Sequence, residues 1–171
     1  VAEAGLATGI YIIGVLLARL VGGRYIELMG RKKMLYAGVI FYLLTTVLYF
    51  AFNSMTTLYG VRLLNGIGYG VAATATGTII AGVIPQSRRG EGINYFALSL
   101  SLAAGVGPLL GMLLQDYFSF AHIVNFCIAI LGACLLATFF LPIEEIELSP
   151  EKLAELKSFR LDNFIEPRVL A

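Results

Sequence analysis

The chain has 171 residues, of which 58% are hydrophobic and only 13% charged, with a formal net charge of +1 and a mean hydropathy of +0.85. Soluble domains carry about twice that share of charge and fewer apolar residues, so a water-soluble globule is excluded. A net charge this small names no nucleic acid or other strongly charged partner.

The apolar residues fall in runs of span length: at about 1.5 Å of rise per residue, roughly twenty of them cross the ~30 Å hydrocarbon layer. Five transmembrane helices are predicted, over residues 4–21, 34–52, 58–84, 93–114 and 121–141. Helices are expected rather than strands, because backbone groups must be paired within lipid and no ten-residue alternation is visible. The fold class is therefore an all-α polytopic transmembrane bundle. The first run is span-length and followed by charges instead of a small-residue cleavage site, so it reads as a span and not as a cleaved signal.

Between the first and second spans lies GGRYIELMGRKKML, residues 22–35, with Arg24, Glu27, Arg31, Lys32 and Lys33 set among Gly22, Gly23 and Gly30. The stretch after the third span, PQSRRGEG, holds Arg88 and Arg89, whereas the turns after the second and fourth spans hold no Lys or Arg. Basic residues beside spans stay cytoplasmic, which places the chain start outside and the end of the chain inside. An anchor needs only the basic residues. An acid held between two glycines at fixed spacing is the pattern of a latch, in which Glu27 caps a neighbouring helix or pairs with Arg31.

The third span contains RLLNGIGYG. A charge inside an apolar segment costs about 2.5–3.5 kcal/mol on insertion scales, so Arg62 is a functional candidate; snorkelling to the outer surface is the other reading. Arg62, Asn65 and Tyr69 share one helix face at spacings of three, four and seven, and Gly66, Gly68, Gly70 and Gly77 permit close helix packing. The fourth span contains GVGPLLG, where Pro108 removes a hydrogen bond and Gly105, Gly107 and Gly111 flank the resulting bend. Cys127 and Cys134 read as small apolar fillers on one face of the fifth span. His122 reads as an interfacial residue. Residues 143–171 change composition and are expected to form a cytoplasmic linker, with a short amphipathic helix capped by Ser149 and Pro150 and lying on Leu153 and Leu156. No residue cluster suits a metal, a cofactor or a nucleophilic mechanism, so no enzymatic chemistry is expected.

These motifs resemble those of the major facilitator superfamily. Its signature between the second and third helices is G-x-x-x-D-R-x-G-R-[RK]; Gly23, Gly30, Arg31 and Lys32 match, Glu27 stands at the Asp, and Leu28 replaces the first Arg. ARLVGG around Arg19 is similar to the residues the family carries just upstream. RLLNGIGYG resembles R-x-x-x-G-x-G, associated in the family with proton transfer. GVGPLLG resembles the antiporter signature G-x-x-x-G-P-x-x-G-G, with Ala103 at its first glycine and Met112 at its last. PQSRRGE matches P-x-x-R-R-G-E.

The resemblance implies helices two to six of a twelve- or fourteen-helix transporter, that is, part of the N-terminal half of the fold. Its implied activity is secondary active transport by alternating access, as proton-coupled export of small molecules through the cell membrane. Glu27 and Arg31 would form a cytoplasmic latch with Gly23, Gly30, Lys32 and Glu91. Arg62, Asn65 and Tyr69 would serve proton coupling or line the cavity, and Pro108 with its glycines would shape a moving helix. The implied partners are the bilayer, a small-molecule substrate, protons and the remainder of the transporter. An uptake symporter of the same superfamily, or a truncated protein that does not transport, are the alternatives.

Overall fold

The structure, a computed structural model, describes residues 2–51 and 54–141, with the side chains of residues 2, 24 and 27 left out. The Glu27 carboxylate of the expected latch and the linker over residues 143–171, with its helix, lie outside the described residues. Helix α1 runs Ala2–Met29 and α2 Arg31–Val47, the latter ending in a 3₁₀ turn, Leu48–Phe50. Helix α3 spans Met55–Val83; after a 3₁₀ turn at Gln86–Arg88, α4 covers Arg89–Tyr117 and α5 Phe120–Phe139. All five are long and apolar enough to cross a membrane.

The helices reach beyond the apolar runs that predict them. GGRYIELM, expected as a loop, is the last two turns of α1. Beyond its two glycines this stretch holds Tyr, Ile, Leu and Met, which are adequate helix formers, and Ile26 anchors it by burying against the core. A 28-residue helix rises about 42 Å, more than the hydrocarbon thickness, so its charged end continues past the apolar layer.

The break comes at one residue. Gly30 is the only described residue with positive φ, at φ 88° and ψ 144°, a conformation that side chains rarely tolerate. Its N–H closes α1 on the carbonyl of Ile26 at 3.2 Å, and its own carbonyl opens α2 by accepting from Met34 at 3.1 Å. On the other side of the bundle Ser54 caps α3, its hydroxyl accepting from the Thr57 N–H at 3.3 Å.

Helix α3 lies between α1 and α2 and packs along both; α5 packs on α2, and α4 packs lightly on α3 and α5. Small residues permit this. A Cβ on Gly66 would overlap the carbonyl of Tyr11 on α1, and a Cβ on Gly68 would lie 2.8 Å from the backbone of Tyr42 on α2. Alternate glycines of α3 thus seat it against opposite neighbours, as close membrane packing requires. Two apolar clusters result. Ile26, Met34, Leu35, Val39, Ala75 and Ile79 fill the basic end of the bundle; Tyr49, Val61 and Val124 fill the opposite end. Large apolar side chains face outward, among them Leu20, Leu109, Met112 and Leu136, as lipid-facing surfaces do.

Candidate functional site

A cavity of about 380 Å³ opens between α2, α3 and α5, at the end of the bundle away from the basic residues. One wall is polar: Tyr42, Thr46 and Tyr49 from α2 and its terminal turn, Arg62 and Asn65 from α3. The other is a strip of α5, formed by Phe120, Ile123, Val124, Cys127, Ile130 and Leu131.

Arg62 enters this wall because α3 begins at Met55, which sets the guanidinium about two turns into the bundle. Its guanidinium carbon lies 5.5 Å from the ring centroid of Tyr49, within the range of a cation–π contact. The Arg62 Nε and the Tyr49 hydroxyl are both buried without a hydrogen-bond partner. Such groups are costly away from water. The side chain thus lines the cavity beside an aromatic ring.

Asn65, one turn further on, is fully engaged as a donor. It is buried, and its Nδ2 donates to Thr45 Oγ1 at 3.2 Å and Thr46 Oγ1 at 3.0 Å. Both threonines pass their own protons back along α2, Thr45 to the carbonyls of Phe41 and Tyr42 and Thr46 to that of Tyr42. Asn65 thus clamps α3 to α2 at the floor of the cavity. Tyr69 shares its helix face but not the cavity. It packs between Tyr11 of α1 and Tyr42 of α2, with ring centroids 6.1 and 5.9 Å away. Thr45, Thr46, Tyr42 and Tyr49 were not legible as partners of this face, although a Thr-Thr pair inside an apolar span is a signal that could have drawn attention to α2.

At the basic end the residues of the expected latch are held separately. Gly23 lies within α1 with open space at its Cβ position, and Gly30 makes the helix break. The Arg31 guanidinium lies against Gly82, in the last turn of α3, where a Cβ would overlap it; Lys32 follows on the first turn of α2. From the other connection Arg89 donates to the carbonyl of Ala81 at 3.2 Å. Two guanidinium groups thus converge on the C-terminal turn of α3, where carbonyls carry partial negative charge. Glu91, expected as a further member of the Glu27–Arg31 latch, accepts from Arg88 in a bidentate pair, at 2.9 and 3.2 Å. Three residues of separation at the start of one helix place these two side chains side by side.

Pro108 is inside α4, which continues through it from Arg89 to Tyr117. Proline cannot donate to the carbonyl four residues back, at Ala104. Gly105, Gly107 and Gly111 meet nothing at their Cβ positions, and no residue of α4 is buried. Whatever these glycines pack against is not among the described residues. Among those residues no group of His, Cys, Asp and Glu is placed to hold a metal ion. His122, in the first turn of α5, is hydrogen-bonded to Ser119 just before the helix, at 2.7 Å.

Comparison with known proteins agrees with this architecture. The chain matches the profile of the Major Facilitator Superfamily over residues 1–170. It is 28% identical over 153 residues to an MFS-type transporter of Methanocaldococcus jannaschii, covering 88% of this chain and 39% of that protein. It is 31% identical over 134 residues to multidrug resistance protein 3 of Bacillus subtilis, covering 78% of the chain and 26% of that protein. An MFS-type efflux transporter of Phaeosphaeria nodorum is 32% identical over 94 residues, covering 55% of the chain and 16% of that protein. The chain therefore spans well under half the length of these relatives, a part of a helical bundle of their kind. With five helices long and apolar enough to cross a membrane and a profile match along nearly its whole length, the chain belongs to the Major Facilitator Superfamily.

Proposed function

We propose that the protein carrying this chain is a proton-coupled exporter of small amphipathic molecules, working by alternating access in the cell membrane. The observation that carries the reading is Arg62: a half-buried cationic side chain whose buried Nε is unpartnered, set on the wall of a cavity between membrane-length helices. A charge kept there against its insertion cost is in position to bind, or to answer the protonation of, something that enters. Export is supported by relatives whose names describe multidrug resistance and efflux.

In this reading the basic end, with Arg31, Lys32, Lys33, Arg88 and Arg89, faces the cytoplasm. Residues 143–171 form the cytoplasmic linker to the rest of the transporter. Glu27, Arg31 and the Gly30 break form the latch, and α4, with Pro108 inside it, presents its exposed face to the remainder of the protein. Asn65 fixes α3 to α2 so that Arg62 and its cavity move as a unit.

Vesicle sidedness tests the direction. Everted vesicles of the full-length protein, energised by an acid interior, should accumulate an amphipathic dye such as ethidium or carboxyfluorescein and lose it on adding a protonophore. Accumulation in right-side-out vesicles with an acid exterior would identify an uptake symporter instead.

A further inference from the structure

The geometry points to the chemical class that the cavity takes: an amphipathic anion, its carboxylate or phosphate on Arg62 and its alkyl chain along α5. The inference rests on reading the Arg62 cavity as a functional site. The two walls differ in kind. Among the described residues Arg62 is the one charged side chain lining the cavity, and the apolar strip of α5 begins beside it and runs from Phe120 to Leu131, about 16 Å of helix. A cation at one end of an apolar trough complements a molecule with a negative head and a hydrocarbon tail. The volume, about 380 Å³, is in the range of small-molecule sites.

The polar groups decide the sign. Asn65 already spends its amide protons on Thr45 and Thr46, and both hydroxyls are themselves bonded to α2 carbonyls. What remains is the Arg62 guanidinium, which lies over the Tyr49 ring and whose buried Nε has no hydrogen-bond partner. A guanidinium donor without an acceptor asks for an anion, to which it offers a fork of N–H groups. A cationic amphiphile would meet like charge at the one polar end of the trough.

Cys127 lines the cavity and Cys134, one face-repeat further along α5, does not; both thiols are free and exposed. Site-resolved alkylation by N-ethylmaleimide in the full-length protein, read by mass spectrometry, is therefore a direct assay. Undecanoate should slow modification of Cys127 and leave Cys134 unchanged, whereas undecanol and undecyltrimethylammonium should protect about tenfold more weakly, the scale of one charge-assisted contact. Arg62→Gln should remove this preference and Arg62→Lys should retain part of it. Nanodiscs distinguish the source of the anion. Protection by phosphatidylglycerol over phosphatidylcholine, with no added ligand, identifies a lipid headgroup; protection only on adding undecanoate identifies a free amphiphile. Equal protection by acid and alcohol, a preference unchanged in Arg62→Gln, or a Cys127 that never reacts because another segment fills the cavity would each overturn the assignment. If charge preference is absent while gradient-driven export persists, this inference falls and the exporter reading stands.

Discussion

Arg62 and Tyr49 lie against each other on the polar wall of the cavity, the guanidinium carbon 5.5 Å from the ring centroid, and each keeps a buried polar atom without a hydrogen-bond partner. Arg62 comes from the second turn of α3 and Tyr49 from the 3₁₀ turn that ends α2. The contact forms because the short connection between these helices folds α3 back along α2. Everything proposed here for transport depends on that pair being held in place, and the holding is done lower down, by Asn65.

Asn65→Leu should weaken the α2–α3 contact modestly. Two interhelical hydrogen bonds, at 3.2 and 3.0 Å, are lost. Bonds of this kind in membrane proteins are worth about 0.6 kcal/mol each, and Thr45 and Thr46 keep their bonds to α2 carbonyls. The expected cost is about 1 kcal/mol, seen as a small fall in the unfolding midpoint in detergent. A loss several times larger would mean that Asn65 carries more than this clamp.

Gly66→Ala and Gly105→Ala should part company. The first places a methyl group into the carbonyl of Tyr11, which is backbone and cannot yield, and should cost about 1–3 kcal/mol. The second meets nothing within 4 Å and should leave the stability of these five helices unchanged or slightly raised, since Ala is the better helix former. Thermal unfolding of the two variants side by side checks the contrast. Equal destabilisation would show that α4 is packed as tightly as α3.

Gly30→Ala should strain the break between α1 and α2. Its φ of 88° is accessible to glycine without penalty, and a residue with Cβ pays roughly 1–2 kcal/mol near such geometry. Reduced expression and a lower unfolding midpoint are expected, with Gly23→Ala, within α1 and open at its Cβ, as the tolerant control.

Glu91→Gln should do little. Its partner is Arg88 in an exposed pair three residues apart, and such pairs contribute only a few tenths of a kcal/mol. Glu27→Gln, by contrast, should shift the balance of inward- and outward-facing forms if the latch runs through Glu27. Cysteine accessibility at the basic end reads both. A shift with Glu91→Gln and none with Glu27→Gln would move the latch to the α3–α4 connection.

The spans were legible because a run of about twenty apolar residues has no other stable place. Their ends were not. Arg24 and Glu27 mark where hydrophobicity stops, but the backbone stays helical to Met29, because helix continuation depends on propensity and on Ile26 reaching the core. Arg62 and Asn65 were legible as one face from their spacing, and the structure places both on the cavity wall. The same spacing could not separate Tyr69 from them, since that depends on which neighbour each turn of α3 meets: α1 and α2 around Tyr69, the open trough beside Arg62. Contacts made by chain reversal were hidden altogether. Tyr36, for example, donates to the carbonyl of Thr138 at 3.0 Å, 102 residues away, and so ties the end of α5 to α2. Nothing in the local pattern around either residue announces that bond.

The central claim is that Arg62 couples the proton gradient to movement of substrate, and Arg62→Ala in the full-length protein tests it most directly. In proteoliposomes with an imposed pH gradient, initial rates of protonophore-sensitive dye transport should fall to background while the amount of protein inserted and its unfolding midpoint stay near those of the parent. Transport at the parental rate, still driven by the gradient, would contradict the account and leave Arg62 as a half-buried cation with no part in the cycle.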